Sequence, residues 1–281
     1  MTAAGAPDSP FGTRGASPYS DAIRKVWCIA WPPVAFGVVF LVLWEALVKG
    51  FDLKPYFLPA PSSVLDAFFG NVGNVWEAAK VSGINALVGL IAGALIGVVL
   101  SFALMRFDIL NLLVSPLAVA LNAIPIVVIV ALFTTMYSST SETPRRLMVT
   151  IVVNFIVLVN VSKGLRQVQR VHLELLRSLA ASPADVLRKA RIPNAIPYFF
   201  TSLKIAAPTA VITAFVSEYF GGRQNGLGYF IPSNFANSKT ANAWAYVIGA
   251  CLLGLAFYLV SILMEYITQH NRGPAPGGAS L

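Results

Sequence analysis

Run length of apolar residues decides what this chain can fold into. Six stretches, 26–48, 81–105, 117–136, 147–161, 198–220 and 244–266, are almost wholly apolar. All but the fourth reach the roughly 20 residues that a helix needs to cross the hydrocarbon of a bilayer. The fourth is short, and Arg145 and Arg146 at its start are expected to snorkel to the interface and extend it. A soluble core shows apolar runs of about 4 to 8 residues, or a helical stripe with a polar back. Here no polar back is left. With 57% hydrophobic and 11% charged residues, the chain lacks the material for a water-facing surface, so the expected fold is all-α and integral to a membrane, with six transmembrane helices. The segment 51–80 is broken by Pro55, Pro59 and Pro61 and supplies no seventh span.

An even number of spans puts both termini on one side. The segments that share that side carry Arg14, Arg24, Lys25, Arg106, Lys163, Arg166, Arg170, Arg177, Arg188, Lys189, Arg191 and Arg272. The opposite segments carry fewer: Lys49, Lys54, Lys80, Arg145, Arg146, Arg223 and Lys239. The positive-inside bias makes both termini cytoplasmic. It also accounts for the net charge of +8 without a nucleic-acid partner. Residues 1–20 and 273–281, rich in Gly, Pro, Ser and Ala, are expected to be disordered tails that leave 21–272 as the membrane domain. The pair Arg24-Lys25 precedes an apolar run too long for a signal peptide, so that run is an uncleaved first helix. Cys28 and Cys251 fall inside spans at no metal or disulfide spacing, as small packing residues do.

The connection between the fourth and fifth spans, residues 162–197, is long, basic and amphipathic. It divides into two short helices. The first is expected over 171–181, with Leu173, Leu176, Leu179 and Ala180 at helical spacing. The second opens at Ser182, a capping hydroxyl, with Pro183 at the first helical position and Asp185 at the third. Pro193 and Pro197 are expected to end it and restart the chain as the fifth span.

These residues also match a known family. Glu174-Leu175-Leu176-Arg177-Ser178-Leu179-Ala180, nine residues, then Ala190-Arg191-Ile192-Pro193 resembles the EAA loop of bacterial ABC importer permeases. There Glu-Ala-Ala, three residues, Gly, nine residues, Ile, one residue and Leu-Pro follow in order. The Glu and Pro fall in register, and Arg177-Ser178-Leu179 with Ala181-Ser182 are similar to the nitrate, sulfonate and taurine branch. Leu175 and Leu176 replace the two alanines, and Ala180 replaces the glycine. An added methyl costs little in a helix and more at a positive φ. The likeness runs from about Trp44 to Ile267: Phe57-Leu58-Pro59-Ala60-Pro61-Ser62-Ser63-Val64-Leu65 resembles the segment after the branch's first span. Leu121-Asn122-Ala123-Ile124-Pro125 is similar to the start of its third. Glu218 with Gly226-Leu227-Gly228-Tyr229 looks like the stretch after its fifth.

The resemblance implies a coupling helix that docks on a separate ATPase, carried by Glu174, Arg177, Ser178, Leu179, Ala180, Ala181, Ser182 and Pro193. It implies two ATPase subunits that bind ATP and Mg, no cofactor in this chain, a second permease copy as homodimer or heterodimer, and an extracytoplasmic solute-binding protein. It also implies a bacterial inner-membrane location and a cargo of the sulfonate, taurine or nitrate kind, with thiamine-pyrimidine precursors, flavins or aromatic carboxylates as the alternative group. The chain has no GxxxxGK[ST] phosphate loop, so energy from ATP must come from elsewhere. An ion-coupled secondary transporter is the rival class, but it usually shows internal repeats and broken polar helices, and none is visible here. Within the spans, Gly89, Gly93 and Gly97 form a small-residue face for another helix of this chain or for a partner copy. Asn122 and Pro125, at a bend in the third span, and Glu45 and Glu218, near span ends, are the candidate pathway residues. Glu45 has an alternative reading as the ion-pair partner of Lys49, four residues on.

Overall fold

The computed structural model describes residues 18–107, 124–137, 141–221 and 223–270. All regular structure among the described residues is helical. The chain divides into two units, Met1–Lys54 and Pro55–Leu281. The first holds α1, Pro18–Gly50, whose part Trp31–Gly50 is apolar and long enough to span.

The second unit begins with α2, Pro61–Gly70, which opens on a proline whose missing N–H costs nothing in a first turn. There follow α3, Val72–Arg106; α4, Ile126–Met136; α5, Thr143–Arg166; α6, Arg170–Ser178; and α7, Pro183–Val186. A π turn, Leu187–Arg191, leads into α8, Ile192–Phe220, and then come α9, Leu227–Ala236, and α10, Thr240–His270. With α1, five described helices are membrane-length: α3, α5, the combined Pro183–Phe220 and the part Thr240–Thr268 of α10. The expected third span is described only from Ile124 onward, as α4, and Asn122 lies outside the described residues.

The centre of this unit is the seam between α3 and α5. Gly89, Gly93 and Gly97 share one face of α3, and each is pressed against α5 of the same chain. A Cβ on Gly93 would lie 2.6 Å from the Thr150 carbonyl oxygen, and one on Gly97 would lie 2.8 Å from that of Asn154. Opposite them stand Val149, Val153 and Val157, all fully buried. β-Branched valines hold few rotamers, so they fill the glycine notches with little entropy left to lose. Ser101 continues the seam by donating to the Leu158 carbonyl at 3.1 Å. Helix α8 lies over both partners with the small residues Ala206, Ala207, Ala210 and Ala214, all buried.

Substituting Gly93→Leu forces α3 away from α5 and is expected to cost about 1–3 kcal/mol, lowering the melting temperature of the purified protein in detergent. Gly254→Ala, where an added Cβ meets nothing within 4 Å, should leave it unchanged or slightly raised.

Candidate coupling loop and the far-end network

Helix α6 has no buried residue. Val171, Leu175 and Leu179 recur every fourth residue and are 70%, 56% and 68% exposed, so they form one apolar stripe facing away from the chain. Leu173 and Leu176 are half-buried and face inward. The expected single apolar face is therefore two, and of the two leucines standing at the family's alanine positions, only Leu175 points outward. Glu174, Arg177 and Ser178 are exposed too, and the Ser178 hydroxyl donates to the Leu175 carbonyl at 2.8 Å.

The helix stops at Ser178, earlier than periodicity predicts, because Ala180 takes a φ of 50°. The Ala181 N–H donates to the Leu176 carbonyl and the Ala180 N–H to that of Arg177, both at 3.0 Å. These two bonds close a Schellman cap, whose left-handed position glycine normally fills. Ala180 is thus at the costly end of the two alternatives, since its Cβ crowds the backbone in this region. Two residues on, the expected capping box is present: the Asp185 N–H donates to Ser182 Oγ at 3.2 Å and the Ser182 N–H to Asp185 Oδ2 at 3.3 Å.

Pro193 and Pro197 do not break the chain. Residues Pro183–Phe220 run as one helix of 38 residues, and the reason lies in the π turn. There the Ile192 N–H reaches back five residues to the Leu187 carbonyl. The widened turn absorbs a proline that has no N–H to give and whose ring would crowd the carbonyl four residues before it. A groove of about 420 Å³ separates α6 from this helix, lined by His172, Leu176, Lys189, Pro193 and Asn194 among others.

At the opposite end of the helices is a polar network that sequence reading missed. Arg145, placed at the interface by its sequence position, is 1% exposed. Its Nη1 donates to Glu142 Oε2 and Asn225 Oδ1, each at 2.8 Å, and its Nη2 to the Arg223 carbonyl. Asn85 Nδ2 donates to Glu142 Oε2 and Asn225 Nδ2 to Oε1, both at 2.9 Å. A buried guanidinium needs such partners, and without them the interface is cheaper. Burial raises the Glu142 carboxyl, but the Asn225 amide, the Arg145 charge and the Asn85 amide outweigh it and hold the pKa below the ordinary glutamate value.

Glu218, a candidate pathway residue, is 2% exposed and acts as a seat. Its Oε2 accepts from the Ser82 hydroxyl at 2.6 Å and from the Gly228 N–H at 3.2 Å. Ser82 Oγ in turn accepts from the Leu227 N–H at 3.0 Å. Two of the unpaired N–H groups at the start of α9 are satisfied in this way. Gly226 and Gly228 lie so close to the last turn of α8 that a Cβ on either would overlap Glu218 or the Phe215 carbonyl, which gives the stretch from Glu218 to Tyr229 its physical sense. The sequence signal for this network was the pair Ser82 and Asn85, two polar residues one turn apart inside an apolar run.

The other candidates fall elsewhere. Glu45 pairs with Lys49 at 2.6 Å. Pro125 is the residue before the first turn of α4, and the part of the expected span that precedes Ile124 lies outside the described residues. Lys204, which was not among the candidates, lies well inside α8 and pairs with Glu265 of α10 at 2.8 Å.

Comparison with known proteins gives one consistent answer. Residues 88–273 match the family described as binding-protein-dependent transport system inner membrane component. A probable ABC transporter permease protein of Haemophilus influenzae is 27% identical over 80% of this chain and 91% of its own length. The formylaminopyrimidine transport permease protein ThiX of Halalkalibacterium halodurans is 27% identical over 84% and 93%. Permeases named for bicarbonate, taurine and nitrate transport also match. Among solved structures, a chain of the MetNI methionine ABC transporter in an inward-facing conformation superposes with a TM-score of 0.54 at 20% identity, over 71% of this chain and 94% of that one.

Replacing Ala180→Gly should stabilise the cap by about 1 kcal/mol, read as slower amide exchange at residues 180–182. The Glu142 network should respond to acid. Because folding lowers the pKa of Glu142, its contribution is complete above the unfolded value, about 4.3, and is lost as pH falls through the lower folded value. Melting of the purified protein should therefore drop on acidification through that window, and Glu142→Gln should flatten the dependence.

Proposed function

We infer the working role of this chain from the family to which it belongs, the binding-protein-dependent transport system inner membrane components: it is the permease subunit of an ABC importer, lies in the inner membrane and works with ATPase subunits that are separate chains. We propose that α6 is the part that meets the ATPase. The observation that carries this reading is the exposed stripe Val171, Leu175 and Leu179 on a helix outside the spans. Apolar area of this kind is costly in water and suits a groove in a partner. The exposed Glu174 and Arg177 beside it suit a polar rim. With α6 on the cytoplasmic side, both termini are cytoplasmic as well, and the end that carries Glu142 and Arg145 faces the solute-binding protein. A pathway between two permease copies, each coupled to one ATPase, completes the assembly.

For the cargo we propose a small solute delivered by that binding protein, with an uncharged heterocycle of the formylaminopyrimidine kind placed ahead of an anion such as nitrate or bicarbonate and of the sulfonate-bearing zwitterion taurine. The pairing of Lys204 with Glu265 supports this order, because a committed lysine is a poor counter-charge for a passing anion. In proteoliposomes that hold the full importer, formylaminopyrimidine should stimulate ATP hydrolysis where taurine and nitrate do not, and the reverse result overturns the order.

Docking is tested by co-expression with the cognate ATPase. The ATPase should co-purify with the wild type, and Glu174→Lys and Leu175→Asp should each lower its retention about tenfold, in line with the loss of one interface anchor. Undiminished retention in both variants would rule α6 out as the docking element.

A further inference from the structure

The helix Pro183–Phe220 joins the coupling loop to the membrane without a joint. We propose that the π turn Leu187–Arg191 sets the rotational register between loop and span, and that the contact of Gly164 with Asn194 and Tyr198 is the fulcrum about which the combined helix tilts against the α3–α5 pair. This rests on the reading of α6 as the docking element.

Rigidity of the loop comes first. Only Leu179 to Ser182 separate α6 from α7, and they are held at one end by the Schellman bonds and at the other by the capping box. Lys189 then bridges to Asp185 at 3.3 Å, from the π turn back to α7. A push on α6 is therefore delivered to α7 and, through unbroken helix, to α8.

Register comes next. An α-helix turns about 100° per residue, so the extra residue accommodated in a π turn rotates everything before it by about that angle relative to an uninterrupted α-helix. The direction in which Ser182 and α6 leave the helix is fixed by that one residue.

The fulcrum is a point of unusually close approach just beyond the turn. A Cβ on Gly164 would lie 2.8 Å from the Tyr198 ring and 2.9 Å from the Ala195 Cα. Asn194 Nδ2 donates to the Gly164 carbonyl at 2.7 Å and to the Gln167 carbonyl at 3.3 Å, and the Tyr198 hydroxyl donates to Gln167 Oε1 at 3.0 Å. The last carbonyls of α5 are thus tied to the first turn of α8. On the loop side the 420 Å³ groove leaves room for movement. On the far side α8 meets its neighbours along Ala206, Ala207, Ala210 and Ala214, with Leu203, Val211 and Thr213 buried beside them. From Asn194 the helix extends about 18 Å towards Ser182 and about 39 Å towards Phe220, at 1.5 Å per residue. A tilt is roughly doubled in amplitude at the far end, where Glu218 holds the start of α9.

The test uses the complex purified with its ATPase, in a background where Cys28 and Cys251 are serine. Spin labels at Ile96 on α3 and Ile212 on α8, both exposed, report their separation with and without ATP, Mg and vanadate. The wild-type separation should shift on nucleotide trapping. Asn194→Ala should retain ATPase within twofold of wild type and melt within a few degrees of it, while its nucleotide-dependent shift falls by at least half. Deletion of Ala190 combined with Pro193→Ala should give plain α geometry, swing α6 away and lower ATPase retention about tenfold, while Pro193→Ala alone should retain the ATPase as wild type does. A full shift in Asn194→Ala, or wild-type retention in the deletion, overturns the lever. A wild-type chain that retains no ATPase overturns the docking reading beneath it.

Discussion

Everything else in the second unit depends on how closely α3 and α5 approach. Three glycines on one helix and three valines on the other bring two backbones together in an environment where lipid is as apolar as the side chains, so that association rests on packing and not on escape from water. A fixed pair of this kind gives α8 something to lie against. It also holds Ser82 and Asn85 in line with Glu218 and Glu142, one turn apart on the same helix that carries the glycines. The seam and the polar network are two heights of one interface: dry and small in the middle, hydrogen-bonded towards the end.

The sequence was informative wherever the signal is local. Run length gave the membrane-length helices. The Ser182, Pro183 and Asp185 spacing gave a cap that the structure contains almost bond for bond, because capping needs only residues within one turn. The small-residue face of α3 was visible at i+4 spacing, although its partner was not. What failed was everything set by distant residues. Arg145 could be placed at an interface only for want of its partner Asn225, which is eighty positions away in the chain. Pro193 looked like a break because a π turn has no simple sequence signature, and a proline that would end an α-helix is tolerated after a wider one.

Ala180 is an instructive middle case. From sequence its cost depended on an unknown backbone angle, and the positive φ resolves it. The glycine that the family pattern places there is needed for the turn itself, since both Schellman bonds form only when this residue is left-handed. This chain keeps the turn and carries the strain. The two leucines of the same helix also separate once it is seen in place, Leu176 towards the groove and Leu175 towards the outside, so one substitution concerns internal packing and the other the exposed surface.

The strained cap has a consequence for assembly. A turn that costs its residue free energy is populated less of the time in the free permease than a glycine turn would be, and only the closed turn presents Val171, Leu175 and Leu179 at a fixed angle to Ser182. Under the docking proposed above, an ATPase would meet an ensemble and select from it, so its apparent affinity would be reduced by the fraction of loops in the competent shape. On that proposal the permease would hold its engine more loosely than its contact surface alone implies, and one methyl group would tune how readily the two come apart.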